Sequence, residues 1–299
     1  MTFSIVAHDP ASQSWGVAVA SKFLAVGAVV PWGRAGTGAI ATQANANLTY
    51  GPDGLALLAA GASAEVAMAR LTGADPGRAD RQLGVVDAAG RAATFTGDGC
   101  LHWAGGHAAE GIAVQGNILA GPEVVQAMVA AWHGTTGSGE EGFGLRLLAA
   151  LQAGDQAGGD RRGRESAAVR VWRAGAGYGG RLDLALDLRV DDHPDPVTEL
   201  ARLLGLHELY FGKPDSASLL PLEPAAGAEG GGGLAGEVAA ALALLGHDPA
   251  SAGLEAALNQ WAGIENLEER LVPGKLDPQV LAILRERAQA QARSARQQP

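Results

Sequence analysis

The order of strand-like and helix-like segments is the feature that most restricts the fold of this 299-residue chain. Short apolar segments, typical of strands, come first and are followed by two segments with the 3.6-residue period of helices. The same order then repeats and ends on two more strands. Helices in consecutive pairs do not suit a parallel sheet built from βαβ units. We therefore predict an α+β fold, a four-layer αββα sandwich with helices on both outer faces of two stacked sheets.

The individual elements follow from apolar spacing and from turn residues. The predicted strands span residues 3–8, 15–20, 26–30, 36–42, 83–87, 92–96, 111–115, 167–173 and 184–190. Helices are predicted around residues 55–58 and 66–71, and at 124–132 and 143–151. Ser63 precedes the second of these and is a typical N-cap residue.

A segment rich in Pro and Gly interrupts the pattern after residue 211. Residues 212–233 contain three prolines and end in four consecutive glycines, which predicts a flexible linker. Beyond it, residues 234–246, 253–261 and 278–290 have the spacing of three short helices. The sequence therefore predicts a main domain over residues 1–211, a linker over 212–233 and a small all-α module over 234–299.

Charge and cysteine content exclude several classes of function. The formal net charge is −10, which argues against a general affinity for nucleic acid. Cys100 is the single cysteine, so neither an intrachain disulfide nor a cluster of thiolate metal ligands can form. The N-terminal segment has no basic, apolar leader pattern, and no apolar run approaches the ~18 residues of a membrane span. We expect a cytoplasmic protein without a cofactor, a metal, or a nucleic-acid or membrane partner.

Thr2 is the strongest candidate for a catalytic group. Methionine aminopeptidase removes Met1 when a small residue follows, so the mature chain is predicted to begin with Thr2, directly before a strand. A threonine at a free N-terminus holds a nucleophilic hydroxyl and an α-amine that can act as its general base. Most proteins that begin Met-Thr are not enzymes of this kind, so Thr2 alone does not define a function.

Several motifs of the chain resemble the DUF1028 family over about residues 2–211. They are TFSIVAHDP, WGVAVASKF, TGAIATQANAN, QGNILAGPE, GGDRRGRESAA and LRVDDHPDP. The resemblance implies the αββα sandwich of N-terminal-nucleophile hydrolases, and with it a hydrolase that uses Thr2 to cleave an amide or related C–N bond in a small molecule or peptide. Such proteins are often oligomeric, so a homo-oligomer is expected.

The C-terminal segments ALNQWAGIENLEERL and LDPQVLAILR resemble a peptidoglycan-binding domain attached to some members of that family. This resemblance implies peptidoglycan or a muropeptide as a partner. The alternative to a hydrolase is a non-catalytic binding or assembly protein on the same scaffold.

A more distant comparison with proteasome-type subunits shows where this chain departs from a peptidase. Ser21 stands where that pattern has a carboxylate, and the expected third-strand lysine is missing. Lys22 is the nearest lysine, at a different register, and becomes a candidate for substrate binding. Other groups must therefore adjust the α-amine of Thr2.

The family layout implies which groups these are. Asn117, in a turn before a helix, is expected to donate a hydrogen bond near the α-amine. Asp160 is expected to orient the protonated amine, and Ser166 to relay a proton. Arg161 and Arg164 are either a clamp for a substrate carboxylate or part of an ordinary solvated turn.

Gln43 and Asn45 follow a predicted strand at the position that stabilises an oxyanion in the same layout. We expect the backbone N–H of Gln43 and the side-chain amide of Asn45 to serve as donors there. Their alternative role is to cap the end of a strand.

Two further patterns are weaker indications of a functional site. The run Asp191-Asp192-His193 suggests a metal site, but it lacks a metal-binding spacing and is more typical of a cap before a helix. Cys100 and His102 suggest a nucleophile and base, but no third group that would orient them is recognisable.

Overall fold

The computed structural model describes residues 2–135, 140–222 and 233–297. Contacts divide the chain into two compact units, and the division falls between Leu204 and Gly205. Met1, whose removal the sequence predicts, lies outside the described residues. So do residues 223–232 of the predicted linker.

Ten strands of the first unit form two antiparallel sheets. They are β1 (Thr2–Asp9), β2 (Ser14–Ser21), β3 (Pro31–Arg34), β4 (Gly38–Ala44), β5 (Arg81–Asp87), β6 (Ala92–Thr96), β7 (Gly105–Ala109), β8 (Ile112–Asn117), β9 (Ser166–Trp172) and β10 (Leu184–Val190). The larger sheet has the order β10-β9-β2-β1-β8-β7, and the smaller has the order β3-β4-β5-β6. The first strand of the chain, β1, is therefore central in the larger sheet.

Helices cover the outer face of each sheet. They are α1 (Tyr50–Ala59), α2 (Ala64–Ala74), α3 (Glu123–Gly134), α4 (Glu140–Gln156) and α5 (Pro196–Phe211). Helices α1 and α2 pack on the smaller sheet, and α3 and α4 pack on the larger one. The layer order is helix, sheet, sheet, helix, and the predicted α+β sandwich is confirmed.

Apolar side chains fill three layers of this sandwich, and β1 contributes to two of them. Phe3 and Ile5 lie in the layer under α3 and α4, whereas Val6 lies between the two sheets. A third layer, around Ile40, joins the smaller sheet to α1 and α2. Because alternate residues of a strand face opposite sides, the even-numbered residues of β1 point toward the other sheet. This geometry directs Thr2 and Ser4 into the space between the sheets.

The strand predictions differ from the structure at residues 26–30, at β7, and at β3 (Pro31–Arg34), which was not predicted. Residues 26–30 are not a strand: Val26–Ala28 forms a single 3₁₀ turn, and Ala25 before it has the left-handed φ of 53°. Val26 and Val30 are nevertheless buried between the sheets, so their apolar pattern reports burial and not pairing. In contrast, β7 (GGHAA) was not predicted, because an exposed edge strand of small residues has no apolar alternation.

The second unit is a small helical bundle. Its elements are β11 (Leu220–Pro221), α6 (Leu234–Leu244), α7 (Pro249–Ala252), α8 (Leu254–Ile264), β12 (Lys275–Leu276) and α9 (Pro278–Gln297). Strand β11 pairs with β12, and Leu222 is buried in the core of this unit. The described part of the predicted linker after residue 219 therefore belongs to this bundle. Within the described residues, no helix is long and apolar enough to cross a membrane.

A buried histidine at the far end of β1 makes the stability of the first unit sensitive to acid. The ring of His8 stacks on Trp15 with centroids 4.7 Å apart, and its Nε2 has no hydrogen-bond partner among the described residues. Burial lowers the pKa of His8 from its usual 6.5, and Asp9 and Asp87 oppose the shift only partly. The unfolded chain therefore binds a proton more readily than the folded one, and stability falls as the pH drops below 6.5.

Between pH 7 and pH 5, the free energy of unfolding is accordingly expected to decrease less in His8→Gln than in the wild type. Urea unfolding at several pH values measures this slope. His107→Gln is the matched control, because His107 is exposed on β7. Equal slopes in wild type and His8→Gln would show that His8 does not carry the acid sensitivity.

Candidate active site

Four polar residues form a row across one end of the larger sheet. Ser166 of β9 is in register with Ser21 of β2, which is in register with Thr2 of β1. Thr2 is also in register with Asn117 at the end of β8. We call Ser166, Ser21, Thr2 and Asn117 the polar row. Strand pairing thus brings together side chains that are far apart in the sequence.

Within the row, the hydroxyl of Thr2 has a neighbouring hydroxyl as its partner. Thr2 Oγ1 lies 3.1 Å from Ser21 Oγ, a distance at which either atom can donate. Thr2 is 6% exposed, and Ser21 and Asn117 are each 2% exposed. A polar pair shielded from water in this way interacts more strongly than it would in bulk solvent.

Directly behind Thr2, five buried side chains join the two sheets. We call Ser4, Gln43, Gln82, Gln115 and Asn117 the amide network. Gln43 Nε2 donates to the carbonyl oxygen of Thr2 at 3.3 Å and to Gln82 Oε1 at 2.8 Å. Asn117 Nδ2 also donates to Gln82 Oε1, at 2.9 Å. The network therefore links the backbone of Thr2 to the side chain of its register partner.

Ser4 completes the network on the β1 side. Its hydroxyl donates to Gln43 Oε1 at 2.7 Å and accepts from Gln115 Nε2 at 2.7 Å. The side chain of Gln115 fits between the sheets only because position 84 is a glycine: a Cβ at Gly84 would lie 2.2 Å from Gln115 Oε1. The site therefore requires β5 and β8 to lie close together at Gly84, where there is no side chain.

Ser4, Gln82 and Gln115 were not predicted as site residues from the sequence. A signal existed, because polar residues stand two apart in otherwise apolar strands, at Thr2 and Ser4 and again at Gln115 and Asn117. Such pairs share one face of a strand. The sequence pattern does not show which strand of the other sheet each of these pairs faces.

Ser166 and Asp160 both hold the backbone that follows Ser21. Ser166 Oγ donates to the carbonyl of Phe23 and accepts from the N–H of Val26 at 3.0 Å. Asp160 accepts from the N–H of Lys22 at 2.7 Å and from the N–H of Arg162 at 2.8 Å. Ser166, within the polar row, and Asp160 thus both contact the loop that leaves β2.

The basic residues of this region are distributed among several acidic partners. Lys22 Nζ lies 3.3 Å from Glu165, and Arg164 forms a bidentate pair with Asp155. The N–H of Arg161 donates to the carbonyl of Ile118, one residue beyond the polar row. Arg161 is therefore placed beside the row by its backbone, whereas the side chain of Arg164 is held at Asp155.

The two predicted oxyanion residues, Gln43 and Asn45, differ in the exposure of their side chains. The side chain of Gln43 is buried in the amide network, 1% exposed, whereas Asn45 is exposed. The backbone of Asn45 is tied to β5 instead: its N–H donates to Asp80, and its carbonyl accepts from Arg81 Nη1. The side chains of Gln43 and Asn45 therefore lie in different environments.

Strained backbone surrounds the row. Ala25, Ala44 and Ile118 all have left-handed φ values, of 53°, 68° and 51°, and each lies at or just beyond the end of a strand at this edge of the sandwich. Such a backbone is costly for a residue other than glycine, above all for β-branched Ile118, and it persists only where packing imposes it. Strain of this kind clusters at functional sites.

The two less favoured patterns have structural roles. Burial raises the pKa of the Cys100 thiol, whose Sγ lies 3.3 Å from the carbonyl of Arg81, so this cysteine is not activated. His193 Nδ1 accepts from the N–H of Asp195, the residue just before α5. Among the described residues, no three His, Cys, Asp or Glu side chains are arranged to hold a metal ion.

The fold and the site together define a class: a four-layer α+β sandwich with a hydroxyl and amide row at the first residue of its central strand. A model described as "Family of unknown function (DUF1028)" matches residues 2–200. The chain belongs to the DUF1028 family, as its motifs indicate.

A solved structure gives the same result. The crystal structure of a DUF1028 protein from Silicibacter pomeroyi is similar to this chain, with 33% sequence identity and a TM-score of 0.63. The similarity covers 71% of this chain and 91% of that one. No curated protein matches the chain.

A second family model matches the helical bundle. It is described as "Putative peptidoglycan binding domain" and covers residues 222–284. Its first residue, Leu222, is the one that the structure buries in the core of the second unit.

Proposed function

We propose that this protein is an N-terminal-nucleophile hydrolase that cleaves an amide or related C–N bond through Thr2, after removal of Met1. The observation that carries the proposal is the position of Thr2. Its hydroxyl pairs with Ser21, its carbonyl is held by Gln43, and its register partner is Asn117. A nucleophile needs this kind of fixed surroundings for its attack to be well oriented.

In the proposed reaction, Thr2 Oγ1 attacks the carbonyl carbon of the substrate, and the α-amine of Thr2 accepts the hydroxyl proton. The C–N bond breaks, the leaving amine takes that proton, and an ester to Thr2 remains. Water then attacks the ester and gives a proton to the α-amine. The bond between the acyl carbon and Oγ1 breaks, the α-amine returns the proton to Oγ1, and the acid is released.

Neighbouring residues take supporting roles in this proposal. Ser21 hydrogen-bonds to the nucleophile, and Asn117 is the amide nearest to the α-amine in the strand register. Asp160 and Ser166 position the loop after Ser21. Lys22 and Arg161 contribute positive charge near the polar row for an anionic group of the substrate. A cytoplasmic location and a homo-oligomer remain predictions.

The nucleophile is tested with p-nitrophenyl acetate, an activated acyl donor. Intact-mass analysis of the native protein is expected to show loss of Met1. A burst of p-nitrophenolate, stoichiometric with protein, is expected on mixing, and peptide mapping should locate the acetyl group on Thr2. Retention of Met1 in protein that shows the burst would contradict the mechanism, because the α-amine would then be blocked.

The helical bundle supports a second, separate candidate function, binding of a peptidoglycan fragment. Beyond the family description, the bundle has an open groove of about 600 Å³. Its lining residues are Leu222, Ala252, Gly253, Leu254, Glu255, Ala256 and Asn259. Co-sedimentation of the full chain with purified peptidoglycan tests this function. Ala256→Trp should fill the groove, and Ala290→Trp, at an exposed position of α9, is the control.

A further inference from the structure

We infer that Gln82 is a positioning residue for Thr2: it sets the direction of the hydrogen bonds in the amide network and holds Asn117 with its carbonyl oxygen available to the α-amine. The inference rests on the proposed function, because it concerns the amine that serves as the general base. Gln82 lies on β5, in the sheet that faces Thr2, and is 0% exposed.

The orientation of the Gln82 amide is set by the backbone. Gln82 Nε2 lies 2.7 Å from the carbonyl oxygen of Gly116 and 3.3 Å from that of Gly105. A carbonyl oxygen can only accept, so the nitrogen of Gln82 must face these two groups. The oxygen of Gln82 must then face the opposite way, toward Gln43 and Asn117.

The orientation of the Gln82 amide determines the orientations of the other amides in the network. Gln43 and Asn117 both approach Gln82 Oε1, and each must therefore present its nitrogen to it. With its nitrogen so placed, Gln43 also reaches the carbonyl of Thr2, and its own oxygen accepts from Ser4. One glutamine on the opposite sheet thus sets the donor and acceptor pattern around Thr2.

Burial makes the pattern difficult to reverse. Ser4, Gln82 and Gln115 are 0% exposed, and Gln43 is 1% exposed. A flipped Gln82 would bring its oxygen against two carbonyl oxygens and its nitrogen against two other amide nitrogens. An unsatisfied buried polar group costs about 1–3 kcal/mol, and several would be created at once.

The consequence for the chemistry lies in Asn117. Because its nitrogen is committed to Gln82, its oxygen Oδ1 is the end of the amide that can accept a hydrogen bond from Thr2. The sequence analysis expected Asn117 to act as a donor there. An acceptor favours the protonated form of an amine, so it stabilises the ammonium that forms when Thr2 Oγ1 gives up its proton.

Gln82→Met tests the inference, because methionine has a similar length and cannot anchor Asn117. The measurement is the rate of Thr2 acetylation by p-nitrophenyl acetate as a function of pH. We expect the midpoint of the pH–rate curve to move to lower pH by about half a unit or more, since the ammonium loses its acceptor. Thr96→Val is the second variant: Thr96 Oγ1 accepts from Gln82 Nε2, and its loss should shift the midpoint in the same direction by less.

Thr42→Val is the matched control. Thr42 is a fully buried residue of β4, the strand that carries Gln43, and its hydroxyl donates to the carbonyl of Asn47, outside the network. It should lower the thermal stability without moving the pH midpoint. Thr96→Val decides the question if Gln82→Met does not fold.

The outcomes separate the inference from the proposed function. Acetylation of Thr2 with an unchanged midpoint in the folded variants of Gln82 and Thr96 overturns the positioning role and leaves the hydrolase proposal standing. No acetylation of Thr2 in the wild-type protein overturns the hydrolase proposal, and the positioning role with it. A shift in the Thr42→Val control as large as in the other variants also overturns the positioning role.

Discussion

Thr2→Ala is expected to lower amide hydrolysis and Thr2 acylation on the order of 10³-fold or more, because it removes the attacking oxygen and leaves the α-amine in place. Stability should change little. Among the described residues, the hydroxyl of Thr2 hydrogen-bonds to that of Ser21, and such a bond contributes about 1 kcal/mol. The measurements are turnover on a panel of small p-nitroanilides and thermal unfolding.

Thr2→Ser is the matched control for this substitution. It keeps a hydroxyl on the same atom position and is expected to retain acylation and turnover within about tenfold. Ser21→Ala removes the partner hydroxyl, and its turnover should lie between those of Thr2→Ala and Thr2→Ser. Turnover by Thr2→Ala at the wild-type rate would show that another group performs the chemistry.

Arg270→Met is expected to destabilise the helical bundle by about 3–5 kcal/mol, because it leaves the carboxylate of Asp277 buried without a counter-ion. The two side chains meet at 2.6 Å, and the residues are 5% and 3% exposed. Arg270 also donates to the backbone carbonyls of Glu208 and Leu209, which lose these donors as well. Hydrogen–deuterium exchange in peptides from α8 and α9 reports the free energy of opening.

An exposed ion pair of the same bundle provides the comparison. Arg285 pairs with Glu237, and the two side chains are 50% and 43% exposed. Solvent screens such a pair, so Arg285→Met should cost much less stability than Arg270→Met. The double substitution Arg270→Met with Asp277→Leu should recover much of the loss, since it removes the buried charge itself. Equal protection in Arg270→Met and wild type would refute the assigned role of the pair.

Local patterns predicted most of the fold. Ser63 caps α2 by accepting from the N–H of Val66, as its position before an apolar helix indicates. The turn between residues 9 and 14 joins β1 and β2 as a hairpin with continuous register. At residues 26–30 the apolar residues are buried in a turn and do not pair as a strand. At β7 the residues pair as an edge strand, although they are small and mostly exposed.

The candidate site was predictable only in part. Thr2, Ser21 and Asn117 stand at strand ends in the sequence, and the structure places them in one row. Asn45 also follows a strand but is exposed, and its backbone hydrogen-bonds to Asp80 and Arg81. Spacing along the chain does not distinguish these two outcomes.

By itself, the sequence determined the family, the layered α+β order and the candidate nucleophile, since each depends on residues close together in the chain. The tertiary structure decided which polar groups surround Thr2. Gln43 and Gln82 meet across 39 residues of sequence, and Ser4 and Gln115 across 111. Their hydrogen-bond directions follow from the carbonyl oxygens of Gly105 and Gly116, which strand pairing places side by side and the packing of the two sheets brings to Gln82.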